Sequence, residues 1–100
     1  MEYELRRNRI EAGHLDEFVE AWVAGVVPLR RRFGFTIGGA WIVEATGELV
    51  WILGYDGPDG FDAADTRYYA SIERNALDPD PAQWFVSAQS ERMRPIIDCC

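Results

Sequence analysis

Leu49-Val50-Trp51-Ile52-Leu53-Gly54-Tyr55 is the stretch that decides the fold. Seven residues with no charge and a β-branched or aromatic majority predict a strand, and its apolar character does not alternate. Both faces of such a strand are covered, which places it in the interior of a sheet. Just before it, Thr46-Gly47-Glu48 predicts a tight turn, and Phe35 to Ala45 predicts a long partner strand. Together they form the clearest hairpin in the chain. Gly38 and Gly39 lie inside the partner strand, where paired glycines predict a bulge or the close approach of another group.

Working outward, Gly13 to Phe33 predicts a helix. Leu15, Phe18, Val19, Trp22, Val23 and Val26 follow the spacing of a buried stripe. Asp16, Glu17 and Glu20 near its start and Arg30, Arg31 and Arg32 at its end suit the helix dipole, and Gly34 is the expected stop. Pro28 lacks an amide hydrogen and crowds the carbonyl of Ala24, so a kink is predicted there. Tyr3 to Ile10 predicts a strand with polar groups on both faces, which suits a sheet edge, a wet interface or a pocket wall. Beyond the Asp56 to Gly60 loop, Phe61 to Asn75 predicts a second helix with Phe61, Ala64, Tyr68 and Ile72 on one stripe. Asp78-Pro79-Asp80-Pro81 breaks the chain. A short helix over Ala82 to Ala88 and a last strand over Glu91 to Ile97, restricted by Pro95, complete the order.

Strand, helix, strand, strand, helix, strand is the ferredoxin-like βαββαβ arrangement, an α+β fold with a four-stranded antiparallel sheet in a single domain over residues 1–100. Two helices cover one face of such a sheet. The other face is predicted to meet a second copy of the chain.

The totals exclude many functions. The chain carries ten arginines, no lysine and 17 acidic residues, for a net charge of −7. That balance repels nucleic-acid phosphates. Without lysine there is no Schiff-base chemistry and no pyridoxal-phosphate anchor. His14 is the single histidine, at the start of a helix, and cannot by itself build a multi-histidine metal site. Ser71, Ser87 and Ser90 have no nucleophile-elbow motif, and Cys99 and Cys100 are adjacent at the end, read as an incidental tail. No Gly-rich phosphate loop occurs. No cofactor and no metal are predicted. No apolar run approaches the roughly 18 residues of a membrane span, and the expected location is cytoplasmic.

What remains is an aromatic excess. Thirteen aromatic residues exceed what one thin core needs. Trp22, Trp41, Trp51, Tyr55, Tyr68 and Tyr69 are predicted to meet between sheet and helices, with Arg9 among the candidate polar partners. Glu44 is the one carboxylate set in an otherwise apolar strand, so Glu44, Tyr55 and Tyr69 are the candidate acid–base residues. Trp22, Trp41, Trp51, Tyr68 and Arg9 are the candidate substrate contacts.

Several short stretches carry a family resemblance: Tyr3-Glu4-Leu5-Arg6, Gly13-His14-Leu15-Asp16-Glu17-Phe18, Pro28-Leu29-Arg30-Arg31 with Gly34-Phe35, Gly39-Ala40-Trp41, and Leu53-Gly54-Tyr55-Asp56. From Tyr3 to about Asn75 the chain resembles the NIPSNAP family. The resemblance implies the dimeric α+β barrel, in which two ferredoxin-like units pair sheet to sheet. Proteins sharing that barrel include cofactor-free monooxygenases of aromatic polyketides, cyclases and isomerases, haem-degrading enzymes and stress-response proteins. The expectation is a cofactor-independent enzyme or binder acting on a small hydrophobic or aromatic, polyketide-like metabolite. The alternative is a non-catalytic homodimer that binds a ligand or a protein.

Overall fold

The computed structural model describes residues 1–97, so Cys99 and Cys100 lie outside the described residues. The elements run β1 (Glu2–Ile10), α1 (Leu15–Ala21), a π-helical turn (Trp22–Val26), α2 (Val27–Arg32), β2 (Thr36–Val43), β3 (Glu48–Tyr55), α3 (Phe61–Ala70), α4 (Ile72–Asn75), a 3₁₀ turn (Pro81–Trp84) and β4 (Phe85–Met93). The sheet order is β2-β3-β1-β4, and every neighbouring pair is antiparallel. This is the ferredoxin-like α+β fold.

The apolar strand is interior, as its composition predicts: β3 pairs with β2 on one side and β1 on the other. Leu49, Trp51, Leu53 and Tyr55 are buried against the helices, with Phe18, Val26, Leu29, Phe35, Phe61 and Tyr68 closing the core. Val50 and Ile52 project to the opposite face and are half-buried.

Four local readings are settled or corrected. Of the settings that the polar strand β1 suits, the structure gives the pocket wall and not the sheet edge: Arg6 and Asn8 line a cavity. The strand is flanked by β3 and β4, and its helix-facing polar residues are partnered: Arg6 donates to Glu4 and, across the layers, to Asp65, and Asn8 accepts from Trp51 Nε1. The kink expected at Pro28 is instead a π-helical turn just before it. The Val27 amide reaches back five residues to the Trp22 carbonyl, which widens the helix where the proline ring would crowd it. The last strand begins at Phe85, immediately after a single 3₁₀ turn, and ends before Pro95, so the proline never enters the ladder. The second helix also breaks at Ser71, whose backbone is extended and whose hydroxyl caps α4 by accepting from the Arg74 amide.

The glycine pair makes the predicted irregularity, a register shift between Ile37 and Gly39 opposite β3. Gly39 has φ 154°, and a Cβ there would overlap the Trp41 ring, which lies across it. The indole thus rests on the sheet face away from the helices. That face carries Tyr3, Leu5, Arg7 and Arg9 from β1, Val50 and Ile52 from β3, and Trp41 and Val43 from β2. Trp41 is 55% exposed and Val43 37%. No described helix covers it, and no described helix is long and apolar enough to cross a membrane.

Candidate functional site

Between the helical layer and the sheet lies a cavity of about 410 Å³, within the range of small-molecule sites. Its apolar wall is Trp22 and Val26 from the π-helical turn, Trp51 from β3, and Phe85 at the start of β4. The two indoles meet edge to face, with centroids 5.1 Å apart. The π-helical turn therefore contributes to the wall as well as accommodating Pro28.

The polar wall is built on α3. Asp65, Tyr68 and Tyr69 stand at i, i+3 and i+4 and so share one helix face. Asp65 accepts from two arginines. Arg6 Nη2 donates to Oδ2 at 2.9 Å, and Arg30 Nη1 donates to Oδ1 at 2.8 Å. Arg6 also donates through Nε to Glu4 at 2.8 Å and through Nη1 to the Tyr69 hydroxyl at 3.1 Å. Arg74 pairs with Asp80 at 3.2 Å.

Arg30 is only 1% exposed. Its guanidinium lies 3.7 Å from the Tyr68 ring centroid, 4.7 Å from Phe35 and 5.1 Å from Tyr69. Cation–π attraction and the ion pair offset part of the cost of burying this guanidinium. The sequence reading assigned Arg30 to the helix end with Arg31 and Arg32, and those two are exposed. The missed signal is positional. Arg30 stands four residues after Val26 and eight after Trp22, on the buried stripe itself.

Tyr68 is also almost fully buried, and its hydroxyl has no hydrogen-bond partner. Burial, opposed in part by Arg30 and Arg74, raises its pKa above the ordinary tyrosine value of about 10. The phenol is therefore a proton donor, not a base, at neutral pH. The folded chain keeps that proton at a pH where the unfolded chain has lost it, so this group's effect is to lower stability as pH rises beyond about 10. In an absorbance titration, one of the four tyrosines should ionise later than the rest, and Tyr68→Phe should remove that late step. A titration without a late-ionising phenol would contradict the burial.

Of the eight residues singled out from sequence, the cavity brings together Trp22, Trp51, Tyr68 and Tyr69. The other four lie elsewhere. Glu44 is exposed just after β2, in the turn that leads to β3. Tyr55 is buried at the end of β3, where its hydroxyl donates to Asp59 at 2.6 Å and accepts from Arg67 at 3.3 Å, clamping the loop before α3. The Tyr55 hydrogen bond first, and then a hydrogen bond donated by Arg67 Nη1 to Asp59 Oδ2, hold the Asp59 carboxyl below its usual pKa. Trp41 and Arg9 are on the uncovered sheet face. His14 stacks on Trp84 and pairs with Glu17. Among the described residues, no cluster of three or more His, Cys, Asp or Glu side chains is placed to hold a metal.

One sheet backed by helices on a single face, with a cavity between the layers, defines a ferredoxin-like α+β domain. Its structural neighbours are NIPSNAP domain proteins. One from Burkholderia xenovorans superposes with a TM-score of 0.84 at 22% identity, covering 100% of this chain and 99% of its own. One from Agrobacterium tumefaciens gives 0.83 at 14% identity, covering 94% and 91%. A putative antibiotic biosynthesis monooxygenase from Nitrosomonas europaea gives 0.71 at 10% identity, covering 97% and 100%. No protein-family model and no curated protein matches the chain.

Proposed function

We propose that this chain is a homodimeric small-molecule domain, a cofactor-independent enzyme or binder whose ligand is a small hydrophobic or aromatic, polyketide-like metabolite. The observation that carries this is the cavity of about 410 Å³ walled by Trp22, Trp51, Tyr68 and Tyr69. Flat aromatic walls favour a planar ligand by stacking and edge contacts. The Tyr69 hydroxyl accepts from Arg6, which leaves its own proton to donate, so it is the group best placed for positioning or acid–base work. A putative antibiotic biosynthesis monooxygenase among the structural neighbours shares this fold, which supports an enzyme by analogy of fold.

The dimer reading rests on the uncovered face. An exposed tryptophan beside Val43 and Ile52 is the kind of apolar surface that a partner covers, and the sheet has helices to spare for one side only.

The direct test is a panel of planar aromatic compounds titrated against labelled protein, followed through the indole N–H resonances of Trp22 and Trp51. Saturable shifts of these two signals are expected, with those of Trp41 unmoved. A panel without any saturable shift would sink the reading.

A further inference from the structure

The polar wall is out of balance with the rest of the chain. Three of the ten arginines line the cavity, Arg6, Arg30 and Arg74, but only one of the 17 acidic residues, Asp65. Glu4 and Asp80 lie behind Arg6 and Arg74 and satisfy part of their charge. Arg30 has no such second partner. Among the described residues its sole hydrogen-bond acceptor is Asp65, on Nη1, and Nε makes no hydrogen bond. The edge formed by Nε and Nη2 is the fork that takes both oxygens of a carboxylate, and here it has no acceptor. The guanidinium lies 3.7 Å from the Tyr68 ring centroid, and the Tyr68 hydroxyl is likewise a buried donor without a partner. Leaving such donors unmet costs free energy, and an incoming pair of anionic oxygens would recover it.

We infer that the cavity selects a planar carboxylate, a small aromatic acid whose two oxygens are held by the free edge of Arg30 and by the Tyr68 hydroxyl. Aromatic walls take the ring, and the donor-rich corner takes the charge. Nε and the hydroxyl have no water-accessible surface. The Tyr69 ring packs 5.1 Å from the guanidinium and 5.2 Å from the Tyr68 ring, and it is half exposed. Entry of the acid to these two donors therefore requires local movement of the side chains around them. This inference rests on the ligand cavity proposed above and adds its charge selectivity.

The test compares 2-naphthoate with its neutral isostere 2-naphthamide, by calorimetry and by ¹⁵N spectra that include the arginine Nε–H signals. Naphthoate should bind at least tenfold more tightly, and only naphthoate should shift the Arg30 Nε–H resonance strongly. Arg30→Met should abolish the preference, with naphthoate losing at least tenfold more affinity than naphthamide. If that variant does not fold, Tyr68→Phe serves instead, with an expected loss of about tenfold for naphthoate alone. Equal binding of the two probes, or a preference that survives in Arg30→Met, overturns the inference and leaves the cavity reading standing. If neither probe binds, the cavity reading falls and this inference with it.

Discussion

Asp65→Ala should destabilise the fold by about 3–5 kcal/mol, the range for breaking a buried ion pair from one side. The substitution removes the sole hydrogen-bond acceptor of Arg30, whose guanidinium is 1% exposed and cannot recover its hydration. Arg6 suffers less, because Glu4 still accepts from its Nε. For a domain with a total stability of roughly 5–15 kcal/mol, this is a large share, and the melting temperature should fall by roughly 10 °C or more. The cause can be isolated. In the double variant Arg30→Met/Asp65→Ala the buried charge is gone and an apolar chain of similar length fills the aromatic cage. The double variant should be more stable than Asp65→Ala alone, which is the signature of coupled residues in a mutant cycle. Urea unfolding at fixed protomer concentration measures it, since assembly would otherwise change the apparent stability. A double variant no more stable than the single one would show that the uncompensated charge is not what Asp65 relieves.

Trp41→Glu should break the proposed homodimer. Trp41 is 55% exposed in the isolated chain and lies flat over Gly39 on the uncovered sheet face. A two-fold symmetric dimer buries both copies of the same patch, so one substitution acts twice. Tryptophans central to an interface typically contribute about 2 kcal/mol or more each. Two of them, with two carboxylates forced into an apolar contact, should weaken the dimer about a thousandfold or more. Sedimentation equilibrium over a dilution series reads this directly. Wild-type protein should be dimeric at micromolar concentration and the variant monomeric. A wild-type monomer under those conditions, or a variant that still dimerises with wild-type affinity, would remove the sheet face as the interface. Trp41 is on the far side of the sheet from the helices, so a folded variant should keep its near-ultraviolet signature from Trp22 and Trp51.

The sequence carried the element order well, for reasons that particular residues make plain. Leu49 to Tyr55 is apolar at every position, and only an interior strand permits that. The stripe from Leu15 to Val26 has a helical period. Where the reading slipped, a local rule met a tertiary partner. Glu4, Arg6 and Asn8 look like edge residues until the ion pairs and hydrogen bonds that hold them beneath the helices are visible. Phe85 to Ala88 is short and compatible with a helix turn, but pairing with β1 makes it strand.

The site was half legible. Trp22, Trp51, Tyr68 and Tyr69 converge, but only Trp22 and Tyr68 sit on stripes whose period points them inward; Trp51 lies in a strand without alternation and Tyr69 is half exposed. Trp41 differs from Trp51 only through register. It pairs with Val50, whereas Trp51 pairs with Ala40, so the two indoles stand on opposite faces. A one-residue slip in a strand exchanges its faces, and the bulge at Gly38 and Gly39 adds such a slip. Composition and periodicity alone determined an acidic α+β domain with one interior strand, helices for one sheet face, an aromatic excess and no lysine chemistry. Only the tertiary structure decided that Arg30 turns inward while Arg31 and Arg32 face water, and that Asp65 joins it to Arg6 across 59 residues of sequence. A charge on a helix looks the same in sequence whether it meets solvent or a buried carboxylate. The difference lies in what packs against it.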